Sequence, residues 1–404
     1  MAVLEFQSNR RPTLGIEIEL GLVNGQTMDL SNSFFQVVEG LPEQGRDRFK
    51  PEIIQSVLEI NTDVCESVKD ADRELRGRLA VIEAAADPLG LTLWWGGLHP
   101  FALCRDQVVT PDPRYLALVE QLQVLARRMV SCGLHVHVGV DSGDKAVMIC
   151  DRILRHLPTL LALSSSSPYW EGEPTGLQSY RSKIMELLPT AGLPPQMRNW
   201  SEYVWLVNHL VETGFISTIR ELWWDVRPHH NFGTVEVRMC DMPGNLDDTL
   251  ALSALIHCLV KTLSDEIDNG AFQLDSHSMI VRQNKWRAAR FGTQAQLVDP
   301  NTFEVKSART LVVELVDRLA PAADELGCAP YLEQCRTMAH GPTWADRQHE
   351  LMRETGSLPE VVRRLTRQSR VTPLPPSDGQ GDAASTGLSA SAPQPPLGVT
   401  TPVL

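Results

Sequence analysis

The sequence predicts one α+β domain over residues 1–370. Short segments with alternating apolar and polar residues are interspersed with longer segments of helical periodicity. This mixture continues through the first 370 residues without a break in composition. Residues 371–404 are rich in Pro, Ser, Gly and Ala and contain few large apolar residues, so they cannot bury enough surface to offset their chain entropy. We therefore expect a disordered tail after residue 370.

The composition excludes several classes of protein. With 43% hydrophobic and 22% charged residues, the chain has the balance of a soluble globular protein. Its formal net charge of −13 argues against nucleic-acid or anionic-membrane partners, since both require a basic surface. No apolar run long enough to span a membrane occurs, and the N-terminus lacks the features of a secretory signal. The eight cysteines are scattered without a C-x-x-C pair, so we expect a cytoplasmic protein with reduced thiols.

The first strand is predicted at residues 13–23, TLGIEIELGLV. Strand side chains alternate between two faces, so Ile16 and Ile18 lie on one face while Glu17 and Glu19 lie on the other. The polar face is either simply solvated or a binding surface for a cation. One strand alone does not decide between these two interpretations.

Three further segments place charged residues opposite aliphatic ones. CGLHVHVGV (132–140) carries His135 and His137 on one face, and GTVEVRMCDMP (233–243) carries Glu236 and Arg238 on one face. PEIIQSVLEINTDVCE (51–66) is less strictly periodic and is best described by its acidic residues, Glu52 and Glu59. In each segment the polar positions hold residues that bind cations or phosphate.

Helical periodicity predicts six helices between and after these strands. The helix at residues 67–87 begins with Ser67 as an N-cap and ends before Pro88. The remaining helices are predicted at residues 115–130, 144–163, 247–268, 302–321 and 344–368.

The polar faces together favour a cation site over a solvated surface. The outward positions of the three regular strands are Glu, Glu, His, His, Glu and Arg, without the Lys and Thr typical of a wet face. If these strands are neighbours, several carboxylates lie within a few Å and repel one another unless a cation neutralises them. Carboxylates with an occasional imidazole suit Mg²⁺ or Mn²⁺ better than Zn²⁺.

Other polar segments leave their roles open. The long Ser-, Gly- and Pro-containing segment at 163–183, which ends near Arg181, is either a lid or a surface loop. NKWRAAR (284–290) supplies Lys285 and Arg287, which are either phosphate-binding or simply solvated. The two common glycine-rich phosphate motifs are absent from the sequence, so metals and arginines would have to hold the phosphates of any nucleotide.

Six blocks in this order resemble a known family: GIEIEL, GLHPF, CGLHVHVGV, LSSSSPYWEG, WWDVRPHHNFGTVEVRMCDMP and NKWRAARFG. Together they resemble the type 2 glutamate–cysteine ligase family, which consists of carboxylate–amine ligases of the glutamine synthetase-like superfamily. The resemblance covers about residues 13–365. It implies a curved antiparallel sheet with helices packed on its outer face, forming a glutamine synthetase-like catalytic domain.

The resemblance also implies roles for individual residues. The metal-site residues would be Glu17, Glu19, Glu52, Glu59, His135 and Glu236. Arg238 would contact the transferred phosphoryl group and act in catalysis with Glu236 and Arg227, whereas Arg181, Lys285 and Arg287 are assigned more loosely to the nucleotide site. Many relatives carry a third Glu between the two of the first strand, and this chain has Ile18 there. The outward pair is unaffected by that departure.

The activity implied by the resemblance is ATP-dependent amide formation with Mg²⁺ or Mn²⁺. The γ-carboxylate of glutamate would form an acyl phosphate, and cysteine or another amine would displace the phosphate. Two alternatives remain at this stage: a zinc-dependent hydrolase that uses the His-x-His strand, and a non-catalytic nucleotide- or metal-binding relative. The partners are then small carboxylate and amine substrates. The sequence leaves the amine open, and a homo-oligomer is compatible with it.

Overall fold

A central antiparallel sheet of seven strands organises the fold in a computed structural model that describes residues 4–271, 273, 277–299 and 302–373. The strands are β1 (Leu14–Asn24), β2 (Phe49–Pro51), β3 (Val57–Asn61), β4 (Leu91–Trp94), β5 (Gly133–Gly139), β6 (Tyr169–Trp170), β7 (Glu173–Pro174), β8 (Val226–His229), β9 (Thr234–Asp241), β10 (Gln296–Val298) and β11 (Val305–Ser307). In the central sheet the order is β2-β3-β1-β5-β9-β8, and β4 pairs with the second half of β1. Two small sheets, β6-β7 and β10-β11, lie outside it.

Helices account for most of the remaining described chain. They are α1 (Phe34–Glu39), α2 (Val68–Ala86), α3 (Pro113–Leu122), α4 (Val124–Arg127), α5 (Gly143–Ile153), α6 (Leu157–Ser164), α7 (Arg181–Met185), α8 (Trp200–Glu212), α9 (Leu246–Asp268), α10 (Ser278–Phe291), α11 (Ala308–Glu325), α12 (Ala329–His340), α13 (Trp344–Thr355) and α14 (Leu358–Ser369). Short 3₁₀ turns lie at Arg46–Arg48, Asp87–Leu89, Cys104–Asp106, Ile219–Glu221 and Gly292–Gln294.

The aliphatic face of the central sheet packs against helices. Ile16 and Ile18 of β1 and Val136 of β5 are almost completely buried, in one apolar cluster with residues of α2, α5, α6 and α9. Burying each such side chain contributes about 1.5–3 kcal/mol, which makes this layer the main source of stability. The opposite face carries the acidic, histidine and arginine side chains. The predicted α+β class, an antiparallel sheet with helices packed on one face, is therefore confirmed.

The predicted helices occur, but several are interrupted or shifted. Residues 115–130 divide at Gln123, whose φ of 51° lies outside the helical region. Residues 144–163 divide into α5 and α6, and residues 344–368 divide at Gly356, which has a φ of 63°. The prediction for 302–321 begins too early, because β11 precedes the helix and Ser307 caps α11.

The described chain up to Pro373 forms one compact unit. Its last residues are attached to α2: Thr372 donates a backbone hydrogen bond of 2.9 Å to Glu83, and Arg370 forms two hydrogen bonds of 2.8 Å with Asp87. Most of the predicted tail, residues 374–404, lies outside the described residues.

Two general properties complete the description. Every helix in the described ranges is too short or too polar to cross a bilayer. All eight cysteines are free thiols, and seven of them are buried.

Candidate active site

Strand register brings the polar residues of distant segments side by side. Glu17 of β1 lies opposite His135 of β5, and Glu19 lies opposite Glu59 of β3. His137 of β5 lies opposite Glu236 of β9. Directly opposed residues have their Cβ atoms about 5 Å apart, so these pairs form one continuous polar surface. A cavity of about 410 Å³ lies over this surface.

One cluster on this surface combines two carboxylates with imidazole. Oxygen or nitrogen atoms of Glu17, His135 and Glu236 lie within 4.8 Å of one another. The Glu17 carboxylate accepts a hydrogen bond of 3.2 Å from Nδ1 of His135 and lies 3.5 Å from Nε2 of His137. His137 is oriented from its other side by the hydroxyl of Thr234, 3.0 Å from Nδ1.

A second cluster consists of three glutamates. Carboxylate oxygens of Glu19, Glu52 and Glu59 also lie within 4.8 Å of one another. Glu52 reaches them because it follows β2 directly, at the edge of the sheet beyond β3. Lys50, whose Nζ lies 3.6 Å from Glu59, is the only ion-pair partner of this cluster among the lysines and arginines that the structure describes. Three carboxylates that share one exposed lysine repel one another when they are ionised.

The protonation of these carboxylates follows their neighbours. Burial, with the charges of Glu19 and Glu59, raises the pKa of Glu52 well above its usual value. Burial, followed by the charge of Glu17, raises the pKa of Glu59 to about 7. Burial alone would also raise the pKa of Glu17, but hydrogen bonds and charge from His135 and His137 outweigh it and hold that pKa well below its usual value. A bound cation would relieve the repulsion in the glutamate cluster.

Glu236 lies between two arginines. Arg227 donates from Nε to Glu236 at 2.7 Å, and Arg238 donates from one terminal nitrogen to the same carboxylate. Burial would raise the pKa of Glu236, but the charges of Arg227 and Arg238 hold it well below its usual value. The carboxylate is therefore ionised and already well neutralised, which distinguishes it from the three-glutamate cluster.

Arg227 and Arg238 differ in how much of each guanidinium is free. Arg227 also donates to the carbonyls of Ile219 and Leu222, at 3.0 and 2.8 Å, and its side chain is buried. Arg238 keeps its other donors toward the cavity, because Glu236 is its one side-chain partner among the described residues and 17% of its side chain is exposed. The pairing of β9 with β5 contains a bulge opposite Leu134–Val136, at this part of β9, and the backbone N–H of Arg238 donates to Asp225 beside β8. Bulges of this kind commonly re-aim side chains beside active sites.

Arg181 reaches the cavity from α7. Its guanidinium lies so close to Gly133 that a Cβ at that position would overlap Nη2, so only glycine leaves room for it. One terminal nitrogen donates to the carbonyl of Cys240 at 3.1 Å, while Nε has no partner in the described structure. The Ser-rich segment before Arg181 is fixed by Asp241, which accepts hydrogen bonds from Ser167 and Ser179 at 2.7 and 2.9 Å. This part of residues 163–183 is thus packed and is not a free lid.

The predicted site residues lie in two different places. Most of them line the cavity over the polar face: Glu17, Glu19, Glu52, Glu59, His135, Arg181, Arg227, Glu236 and Arg238. Lys285 and Arg287 do not line it, so their assignment to the same nucleotide site finds no support in the geometry. Lys285 is buried and forms ion pairs of 2.5 Å with Asp225 and 2.8 Å with Glu186, whereas Arg287 is exposed and donates to the carbonyl of Gln296.

Further cavity residues were not predicted from the sequence. They include Lys50, Arg114, Tyr115, Ser131, Arg220, Trp223, His229 and Phe232. Of the two adjacent tryptophans, Trp224 packs in the core while Trp223 reaches the cavity. A second cavity of about 640 Å³ adjoins the first and shares Glu17, Lys50, His137 and Phe232 with it.

Comparison with known proteins agrees with this architecture. The sequence profile of glutamate–cysteine ligase family 2 matches residues 13–366. A protein of Gloeobacter violaceus named as a candidate glutamate–cysteine ligase 2 is 41% identical over 362 residues, which cover 89% of this chain and 97% of that protein. A similarly named protein of Thermobifida fusca is 38% identical over 371 residues, covering 91% and 93% of the two chains.

Solved structures share the fold at low sequence identity. The glutamate–cysteine ligase of Francisella tularensis, solved in complex with AMP, superposes with a TM-score of 0.68 at 14% identity and covers 92% of this chain and 91% of its own. The bifunctional glutathione synthetase of Pasteurella multocida gives a TM-score of 0.65 at 15% identity, covering 89% of this chain and 51% of its own. At these identities the likeness concerns the fold. The profile match and the close relatives go further, and the chain therefore belongs to glutamate–cysteine ligase family 2, a family of ligases.

Proposed function

We propose that this chain is an ATP-dependent carboxylate–amine ligase that joins the γ-carboxylate of glutamate to cysteine or another amine. Family membership supports the ligase class. The observation that carries the proposal is the polar face itself, where two three-residue clusters of cation-binding side chains share one cavity with Arg238. Transfer of a phosphoryl group between two anions needs this combination of negative metal-binding groups and a nearby guanidinium.

The proposed reaction proceeds in two steps. An oxygen of the substrate carboxylate attacks the γ-phosphorus of ATP, the bond between that phosphorus and the β,γ-bridging oxygen breaks, and an acyl phosphate and ADP result. The amine nitrogen then attacks the acyl carbon, the carbon–oxygen bond to phosphate breaks, and an amide and inorganic phosphate form with loss of a proton from nitrogen. Phosphorylation is required because a free carboxylate has no adequate leaving group for an amine.

Arg238 is proposed to hold the phosphoryl group during the first step. It faces the cavity beside Glu236, and a guanidinium can donate to two phosphoryl oxygens at once. Glu236 fixes the position of that guanidinium from behind. Arg227 in turn fixes Glu236, because its donors are taken by that carboxylate and by two carbonyl groups. We therefore assign Arg227 a positioning role and Arg238 the contact with substrate.

The donor set fits divalent magnesium or manganese. Glu19, Glu52 and Glu59 supply only carboxylate oxygens, and Glu17, His135 and Glu236 supply two carboxylates and one imidazole. The raised pKa values of Glu52 and Glu59 come from burial and from neighbouring carboxylates, which the single cation Lys50 does not offset. We propose that these residues hold the metal ions, which when bound would neutralise phosphate charge and polarise the transferred group.

The zinc-hydrolase alternative is not supported. Family membership speaks for a ligase, and both histidines of the His-x-His strand face glutamates: His135 lies between Glu17 and Glu19, and His137 between Glu17 and Glu236. A site with this share of carboxylates is unlike the nitrogen- and sulfur-rich sites that zinc prefers. A cytoplasmic location and a catalytic unit that ends near residue 370 remain part of the proposal.

The decisive experiment measures ADP release with a panel of carboxylates and amines. Purified protein is assayed with ATP and either Mg²⁺ or Mn²⁺, and product mass identifies the amide. We expect ADP release that requires both a carboxylate and an amine, stops with a metal chelator, and is lost in Glu17→Gln. Binding of ATP without substrate-dependent ADP release would favour a non-catalytic relative, and hydrolysis that needs zinc but not ATP would refute the proposal.

A further inference from the structure

Two arginines at the edges of the cavity have no ion pair in the described part of the chain. Arg114, in the first turn of α3, and Arg220, in the turn Ile219–Glu221, both line the cavity and are exposed. The Arg114 guanidinium lies 5.0 Å from the centre of the Tyr115 ring. Neither guanidinium lies within 4.0 Å of a carboxylate oxygen of a described residue, although five glutamates line the same cavity.

The other cations of the cavity are in use. Arg227 and Arg238 are bound to Glu236, and Lys50 lies 3.6 Å from Glu59. Arg181 is buried, and its guanidinium donates to main-chain carbonyls. Arg114 and Arg220 are therefore the two cavity arginines, among the described residues, whose guanidinium groups are both solvent-facing and uncommitted. Such a guanidinium can form a bidentate interaction with a carboxylate or phosphate without first breaking an ion pair.

The two arginines stand at opposite ends of the sheet. Tyr115, which follows Arg114, donates to the carbonyl of Pro51 at the end of β2. The turn with Arg220 is attached to β8 through Arg227, which donates to the carbonyls of Ile219 and Leu222. Since β2 and β8 are the two edges of the six-strand path, five strand spacings of about 4.8 Å separate these attachment points. The two arginines are therefore carried by opposite edges of the sheet.

Each arginine lies at the end that holds a different carboxylate cluster. Arg114 is on the side of the three-glutamate cluster, beyond β3, and Arg220 is on the side of Glu236, beyond β9. Both are carried on fixed backbone: Asp112 caps the helix of Arg114 with a bond of 2.8 Å, and Arg227 links the turn of Arg220 to Glu236. The backbone that carries each arginine is thus held at its own end of the sheet.

We propose that Arg114 and Arg220 recognise anionic groups of two different substrates, one at each end of the sheet. This inference rests on the proposed function, in which a phosphate chain and a carboxylic acid occupy one cavity together. Both are anions, and each needs its own cation away from the acidic centre. The shared chemistry is an oxyanion bound by a guanidinium. Which arginine serves the phosphates and which serves the carboxylic acid is decided by the experiment.

The test compares Arg114→Gln, Arg220→Gln and their Lys counterparts in steady-state kinetics with the full chain. We expect each Gln variant to raise KM for one substrate, ATP or the carboxylic acid, about 10- to 100-fold, as the loss of a charge-assisted contact predicts. The two variants should affect different substrates, kcat should change only a few-fold, and each Lys variant should recover part of the loss. Arg105→Gln, at an exposed arginine outside the cavity, is the matched control and should leave both KM values unchanged.

Several results would overturn the inference. One is that neither Arg114→Gln nor Arg220→Gln changes KM for ATP or for the carboxylic acid. The others are that both variants raise KM for the same substrate, or that they lower only kcat. Thermal melts of each variant guard against misfolding, and unchanged melting temperatures are expected because neither side chain has an ion pair to lose. If the wild type releases no ADP with any substrate pair, the proposed function fails by itself. Calorimetric titration of wild type and variants with Mg-ATP and with glutamate then tests the two arginines separately, and absence of any selective weakening would refute their role.

Discussion

Glu17 and His135 face each other across β1 and β5, with the Glu17 carboxylate 3.2 Å from Nδ1 of His135. The two residues are 118 positions apart in the chain. Their contact exists because the aliphatic residues on either side of each one are buried under the same helices, so the register that buries Ile16 and Val136 also joins Glu17 to His135. Stability and the candidate active site therefore depend on the same strand alignment.

Replacing one glutamate in each cluster should change the stability of the protein in different ways. Glu236→Gln should lower the free energy of unfolding by about 3–5 kcal/mol, because Arg227 is then buried without its counter-charge. Glu52→Gln should leave metal-free stability unchanged or raise it, because burial and two neighbouring carboxylates already disfavour the charge there. Both variants should lose most ADP release. Urea denaturation of both variants in the presence of a metal chelator measures these changes. Equal destabilisation by the two substitutions would contradict the prediction.

The metal-free protein should lose stability as the pH rises from about 4.5 to about 7 because of Glu59. Burial and the charge of Glu17 raise the pKa of Glu59 to about 7, from an ordinary 4.5. Below pH 4.5 the Glu59 carboxyl is protonated in both the folded and the unfolded state, and its contribution to the free energy of unfolding is fully present. This contribution, at most about 3 kcal/mol, is lost as the pH rises through 7. Glu59→Gln lacks this loss. The free energy of unfolding is measured for wild type and for Glu59→Gln across this pH range. The wild-type value minus the variant value should fall as the pH rises from 4.5 through 7. A difference that stays constant would refute the raised pKa of Glu59.

Replacement by lysine should affect catalysis at Arg238 and stability at Arg227. Arg238→Lys should lower kcat by about 10³-fold with little change in melting temperature, because a lysine can still pair with Glu236 but cannot grip two phosphoryl oxygens. Arg227→Lys should chiefly destabilise the fold, because one ammonium cannot bond Glu236 and two carbonyls in the same geometry. Kinetics and melts of both variants provide the test. Nearly normal kcat in Arg238→Lys would exclude the proposed phosphoryl contact.

Two basic residues on α10 should behave differently although they are only two positions apart. Lys285→Met leaves the buried Asp225 carboxylate without its counter-charge, so it should cost about 3–5 kcal/mol, whereas the exposed Glu186 keeps its ion pair with Lys183. Arg287→Gln removes an exposed group that bonds a carbonyl, and should change stability by less than about 0.5 kcal/mol. Neither residue lines the cavity, so KM for ATP should stay unchanged in Arg287→Gln. A raised KM there would return that arginine to the nucleotide site.

Truncation should locate the end of the catalytic unit between residues 369 and 373. A chain ending at Pro373 should keep the wild-type melting temperature and ADP-release rate. A chain ending at Ser369 should melt several degrees lower, because it loses the bonds from Arg370 to Asp87 and from Thr372 to Glu83. Reduced activity of the longer chain would show that the Pro- and Ser-rich segment contributes to the fold or the site.

The local features of this protein could be predicted from residue order alone. Alternation in GIEIEL and LHVHV defines which side chains leave each strand on the polar face, since successive strand residues point in opposite directions. The helix at residues 67–87 was equally predictable, because Ser67 caps it and the apolar spacing defines its buried face. The resemblance of six ordered blocks added the family and the antiparallel sheet.

How these local features meet depends on long-range packing. Lys285 and Arg287 look alike in NKWRAAR, yet packing of α10 buries one against Asp225 and leaves the other in solvent. Arg227 could not be distinguished from Arg238 by residue type, whereas strand pairing and a bulge turn one into a buried support and leave the other facing the cavity. Arg114 and Arg220 belong to no motif. The role that we propose for them follows from the strand order, which depends on pairing between distant segments that no local pattern specifies.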